Sequence, residues 1–255
     1  MMAVVDPTLR LERAMHREGI TYVIGCDEVG RGAIAGPVGV GLSVVGQGVR
    51  KHPDGLRDSK MLAEKRREQL APLAASWSLF SAVGLATAAE VDSMGIMAAL
   101  GLAGRRALTE LHEAGVAIHE SVVLLDGAFD WLSPALSKPP RVRLQVKADR
   151  DCASVAAASV IAKVHRDRLM IEADDQYPGY GWRGNKGYGS TDHYAAIDRQ
   201  GPSALHRHTW LHPRPAPLSP PPTLVIAGAM TSGTGARGGL RRLNGVPEAI
   251  GNASH

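Results

Sequence analysis

Tyr22-Val23-Ile24-Gly25-Cys26-Asp27-Glu28 is an apolar run that stops in two adjacent acids, and Val29-Gly30-Arg31-Gly32 follows it. Such a run, closed by acids and glycines, predicts a strand that ends in a turn. Two later stretches repeat the pattern. Val122-Val123-Leu124-Leu125 runs into Asp126-Gly127, and Val142-Arg143-Leu144-Gln145-Val146-Lys147-Ala148 runs into Asp149. Three such strands, adjacent and running the same way, would bring their carboxylates to one sheet edge, where open α/β sheets place ligands. Successive side chains of a continuing strand point to opposite faces, so the strand has to end at Asp27 and Glu28 for both to converge. Gly30 and Gly32 permit that turn.

Working outward, residues 36–45 and 77–86 read as two further strands, rich in valine, glycine and small residues. Residues 60–70 and 94–114 show helical spacing, and 121–125 and 141–146 are again strand-like. From 153 to 170 the pattern is helical, with Ala157, Val160, Ile161 and Val164 on one face and Arg166 opposite. Strands first, then strands alternating with helices, predict an α/β fold with one mixed sheet and helices packed on it.

The chain has 255 residues, 44% of them hydrophobic, enough for one large or two small domains. No apolar run of about 18 residues occurs and no basic start leads into a long apolar stretch, so neither a membrane span nor a secretory signal is expected. Cys26 and Cys152 are too few and too far apart for a disulfide framework or a zinc site, which fits a reduced, cytoplasmic protein. The formal net charge is +4, of which Arg214, Arg237, Arg241 and Arg242 against Glu248 carry +3. A nucleic-acid role must therefore rest on where the charges of the body sit. Six prolines lie between Pro213 and Pro222 and seven glycines follow, so residues 213–255 are expected to form a disordered tail.

An Asp after a strand is ordinarily a turn or N-cap residue. Three such strands with an adjacent Asp-Glu pair favour a site instead. Asp27, Glu28, Asp126 and Asp149 brought together would repel unless cations neutralised them, and hard oxygen donors suit Mg²⁺ or Mn²⁺. Two such ions would stabilise the attacking and leaving oxygens of a phosphodiester displacement. The glycines of residues 30–36 miss the dinucleotide-binding fingerprint by one residue, and Pro37 stands where its helix would start. No phosphate-binding P-loop or nucleophile-elbow motif occurs. Backbone amides of such a loop can still meet a phosphate or sugar, with Arg31 as a fork donor.

At these residues the sequence resembles the type 2 ribonuclease H (ribonuclease HII) family. Asp27-Glu28-Val29-Gly30-Arg31-Gly32 is similar to its signature, and Asp58-Ser59-Lys60, Leu125-Asp126-Gly127, Lys147-Ala148-Asp149, the run from Ser154 to Asp167 and Lys186-Gly187-Tyr188 follow in the family's order. The resemblance implies an RNase H-like fold, with a five-stranded mixed sheet flanked by helices and a small helical C-terminal region. It implies a metal-dependent endonuclease that hydrolyses RNA in RNA–DNA hybrids and at single ribonucleotides embedded in duplex DNA. Incision on the 5′ side would leave a 3′-hydroxyl and a 5′-phosphate, with Mn²⁺ or Mg²⁺ in a two-metal arrangement. By position, Asp27, Glu28, Asp126 and Asp149 match the family's catalytic metal ligands, and Gly30, Arg31, Gly32 and Tyr188 its reader of the ribose 2′-hydroxyl. Lys60 is a phosphate-contact candidate.

On this reading residues 1–20 form an N-terminal segment, 21–212 the catalytic domain and 213–255 the tail. The chain is expected to act as a monomer, with no membrane partner. Ala148 stands where the family more often has glycine. His206-Arg207-His208-Thr209-Trp210 resembles a His-Arg-x-Ser-Phe segment with Thr and Trp substituted. His206, His208 and His212 could be drawn as a metal cluster, but oxygen-preferring ions favour solvated or backbone-bonded histidines there.

Overall fold

The computed structural model describes residues 6–211; His212 and the proline- and glycine-rich stretch expected as a tail lie outside the described residues. One sheet contains β1 (Tyr22–Val29), β2 (Val38–Gly46), β3 (Phe80–Ala86), β4 (Ser121–Asp126) and β5 (Arg141–Gln145), in the order β3-β2-β1-β4-β5. β1, β2 and β3 form an antiparallel meander, while β1, β4 and β5 run parallel as neighbours. The helices are α1 (Arg10–Arg17), α2 (Glu64–Trp77), α3 (Ala88–Met94), α4 (Ile96–Glu113), the single turn α5 (Ala148–Asp151), α6 (Ala153–Gln176), α7 (Trp182–Asn185) and α8 (Thr191–Gln200). None of them is long and apolar enough to cross a membrane.

β2 shows why both faces of the sheet are buried. Val38, Val40, Leu42 and Val44 join Ile24, Cys26, Val123, Leu125 and residues of α4 such as Leu100 and Ala103 in one core cluster. The intervening Gly41 faces α6, where an added Cβ would come within 2.5 Å of the Ala158 carbonyl oxygen. The valine–glycine alternation thus separates a side-chain-filled face from one on which a helix lies close to the strands. Along α6, Ser154, Ala158, Ala162, Arg166 and Met170 recur every fourth residue, and a Cβ on Gly25, Gly41, Gly30 or Gly36 would overlap this row. The last turns of α6 pack with Tyr180, Trp182 and Ala196 to form the small C-terminal helical region.

Several boundaries differ from the sequence reading. β1 does not end at its acids: antiparallel pairing with β2 carries it to Val29 opposite Gly39, while parallel pairing with β4 stops at Cys26 opposite Leu125. β5 stops at Gln145, Lys147 takes a left-handed conformation (φ 62°), and Asp149 therefore sits in α5 and not at a strand end. Trp77 closes α2, its indole Nε1 donating to the Arg50 carbonyl at 3.1 Å, so the third strand starts at Phe80. The helix expected over 60–70 is a 3₁₀ turn at Ser59–Met61, capped by Asp58, followed by α2. Gly95 (φ 79°) divides the helix expected over 94–114 into α3 and α4. Arg166 is fully buried, the reverse of the exposed placement its helical face suggested.

Candidate active site

Beyond Cys26, β1 keeps its antiparallel neighbour and loses its parallel one, so its pairing with β4 ends just before Asp27. Asp27 points to the α6 side of the sheet, and Asp126, the last residue of β4, shares that side by strand alternation. α5 adds Asp149. Carboxylate oxygens of Asp27, Asp126 and Asp149 all lie within 4.8 Å of one another. Asp126 Oδ1 accepts the Ala148 amide at 2.7 Å, which ties the end of β4 to the turn that carries Asp149. Lys60 Nζ donates to Asp149 Oδ2 at 3.3 Å, and the hydroxyls of Ser59 and Ser159 meet at 2.8 Å beneath the cluster.

Burial holds the Asp27 carboxyl well above the usual carboxylate range, and the charges of Glu28 and Asp126 push the same way; Ser159 and Lys60 oppose them. Asp126 is raised by burial and by Asp149, against amide donors that favour its charged form. Asp58, next to Lys60, is raised by burial as well. Burial alone would lower Lys60, yet Asp27, Asp58 and Asp149 outweigh it and hold the ammonium above its ordinary range. The set is all-oxygen, largely desolvated and short of positive charge, which is the donor chemistry that fits a hard divalent cation.

Glu28 lies on the opposite, α4 face of β1 and outside this trio, because the strand continues through it. Its Oε1 accepts from Arg31 Nη1 at 3.3 Å. Its charge nevertheless reaches Asp27 and Asp126.

The loop after β1 turns at Gly30 (φ 74°), directly over the Arg166 side chain. Two fully buried guanidiniums hold this region, and neither has a carboxylate partner among the described residues. Arg207 donates to the carbonyls of Gly30 (2.7 Å), Arg31 (3.0 Å) and Gly36 (3.2 Å), while Arg166 donates to those of Pro37 (2.8 Å), Lys186 (2.8 Å) and Ala35 (3.0 Å). The loop carbonyls are thus engaged inward, and the Arg31 and Gly32 amides have no acceptor among the described residues. Tyr188 bridges to Ala33 beside this loop, half-buried, with Arg166 Cζ 5.4 Å and Lys163 Nζ 5.5 Å from its ring centre. Its carbonyl accepts from His193 Nδ1 at 2.9 Å.

Arg166, Arg207 and His193 were not readable as parts of this site, because what ties each of them to it is a backbone carbonyl that no sequence pattern announces. The fourfold row along α6 was the available signal for Arg166. His206 is buried and bonded to Ser203 and His193, and His208 is exposed, so these two do not converge as ligands. Cys26 is buried beside the acids, where burial and then Asp27 raise its thiol well above the ordinary value; burial pushes Cys152 up to about 12.

Comparison with known proteins places these residues in context. The sequence model of the ribonuclease HII family matches residues 24–212. The chain is similar to the ribonuclease HII of Streptomyces griseus subsp. griseus, at 43% identity over 215 residues, covering 83% of this chain and 86% of that one. It is similar to a ribonuclease HII of Thermus thermophilus at 43% identity over 208 residues, covering 82% and 95%. Among solved structures, the ribonuclease H2 from Pyrococcus horikoshii OT3 superposes with a TM-score of 0.59 at 27% identity, over 74% of this chain and 94% of that one.

Proposed function

We propose, from the premise that this chain belongs to the ribonuclease HII family and is an endoribonuclease acting on RNA–DNA hybrids, that it also incises duplex DNA on the 5′ side of a single embedded ribonucleotide. Water attacks phosphorus, the 3′ oxygen of the preceding nucleotide leaves and takes a proton, and the products are a 3′-hydroxyl and a 5′-phosphate. What carries the reading is the meeting of Asp27, Asp126 and Asp149 beside Tyr188 and a loop with two amides that have no acceptor among the described residues.

Asp27, Asp126 and Asp149 would hold divalent cations, with Glu28 as a further ligand reached from the other face of β1. Bound Mn²⁺ or Mg²⁺ supplies charge neutralisation and Lewis acidity at the attacking and leaving oxygens. The Gly30-Arg31-Gly32 amides and Tyr188 contact the 2′-hydroxyl, the one group that separates RNA from DNA at a given position. The Tyr188 ring packs on the sugar while its hydroxyl hydrogen-bonds. Lys60, which shares its charge with Asp149, faces the phosphate. The enzyme works as a cytoplasmic monomer, and residues 21–212 form its catalytic domain.

The test is cleavage of a labelled duplex carrying one ribonucleotide, with Mn²⁺, Mg²⁺ or EDTA, beside an all-DNA duplex. Metal-dependent incision 5′ to the ribonucleotide, with the all-DNA duplex intact, is expected. Tyr188→Ala should slow incision at the isolated ribonucleotide by about tenfold or more. Incision of the all-DNA duplex, or an unchanged rate for Tyr188→Ala, would overturn the 2′-hydroxyl reading.

A further inference from the structure

Phe129 is three residues past Asp126 and is 63% exposed, more than any other large apolar side chain among the described residues. An aromatic ring left in water beside a catalytic cluster has an energetic cost that burial against a ligand would recover. Phe129 stands on one wall of a groove of about 640 Å³ between the β4–β5 connection and α4. The opposite wall holds Met94, which is 42% exposed, and Met97. Met97 Sδ accepts from Arg31 Nη2 at 3.7 Å, so the groove begins at the loop that follows the acids.

The charges along the groove have one sign left over. Glu90 is spoken for by Arg106, which donates to both its oxygens at 2.7 and 2.9 Å. Arg105 has no ion-pair partner among the described residues, and it also lines an adjoining cavity of about 720 Å³ bounded by Lys138, which is likewise unpaired among them. An apolar floor with an exposed aromatic, flanked by uncompensated cations, is the combination that binds a sugar–phosphate chain: rings pack on sugars and bases while cations meet phosphates.

We propose that this groove carries the duplex flanking the cleaved position, with Phe129 packed against a sugar or base and Arg105 against a phosphate of the same strand. The proposal rests on the nuclease reading above and adds to it a second, sequence-independent contact region on the α4 side of the sheet. It makes Phe129 and Arg105 determinants of how much flanking duplex the enzyme uses.

The experiment compares wild type, Phe129→Ala and Arg105→Glu on single-ribonucleotide duplexes, long on both sides or trimmed on one side at a time, over a range of salt. Wild type should lose affinity when one particular side is trimmed. Each variant should raise KM on the long duplex by about tenfold, and this penalty should shrink on the duplex trimmed on that side. Arg105→Glu should also flatten the dependence of log KM on log salt by about one unit. If wild type fails to cut any of these duplexes, the nuclease reading falls and the groove with it. If wild type cuts but the variants match it on every duplex, or lose equally on all of them, the groove alone is overturned.

Discussion

Asp27→Asn replaces an ionisable carboxyl in a buried trio with a neutral amide and leaves the side chain's shape nearly intact. Because the folded protein holds this carboxyl above its ordinary value of 3.8, the metal-free native state binds a proton that the unfolded chain releases. Stability is then fully present at low pH and lost as pH rises through that window. Asn is neutral at every pH, so the metal-free variant should unfold at a higher temperature than wild type near neutral pH, by roughly 2–4 °C for each kcal/mol recovered. The same variant should lose cleavage while still binding hybrid, since it removes a proposed metal ligand and no proposed substrate contact. Calorimetry beside a gel-shift assay checks both, and a variant less stable than wild type without metal would refute the charge argument. Asp27 and Asp126 were legible because each closes an apolar run, whereas Asp149 follows an alternating stretch whose strand ends at Gln145. The facing of Glu28 was not legible, because whether β1 stops or continues depends on its pairing with β2.

α6 and the strands beneath it show what a glycine does where two backbones meet. Gly25→Ala would drive a methyl group into the Ser154–Val155 backbone, which cannot move aside as a flexible side chain would. We expect a loss of about 3 kcal/mol, measurable by denaturant titration. Gly184→Ala in α7 is the control, because nothing lies within 4 Å of its added Cβ. A shift within about 0.5 kcal/mol is expected there. Periodicity located all five strands and the long α6 but misplaced several ends. Those ends were set by tertiary events, such as the indole of Trp77 reaching Arg50 and the left-handed turns at Gly95 and Lys147. The inward row of α6 was hidden for a similar reason: Arg166 is polar by type yet buried, satisfied by three carbonyls from two separate segments.

Over the whole molecule, two buried groups of titrating side chains pull stability in opposite directions with pH. Trp182 Nε1 donates to His193 Nε2 at 2.9 Å, so His193 carries its proton on Nδ1 and gives it to the Tyr188 carbonyl. His206 Nδ1 accepts the Ser203 amide, so its proton sits on Nε2, 3.1 Å from the same His193 Nε2, which it shares as acceptor with the Trp182 indole. The pair is fully bonded when both rings are neutral. Burial and the neighbouring His193 lower His206 to about 4 from 6.5. Its contribution is present above about pH 6.5 and disappears as pH falls toward 4, on the order of 3 kcal/mol. The carboxylate site of the metal-free protein has the reverse slope. Its unfolding temperature should therefore peak at mildly acidic pH, and millimolar Mn²⁺ should raise it more at about pH 8 than at about pH 5.5. An equal rise at both would argue against binding by these carboxylates. The strand order also has a consequence during synthesis. Asp27 leaves the ribosome 122 residues ahead of Asp149, about ten seconds at ordinary translation rates. Until β4 is made, the central strand lacks its parallel neighbour, and no nascent fragment ending before Asp149 holds all three acids. The cluster proposed to hold the metal is thus completed only when more than half of the chain has been made.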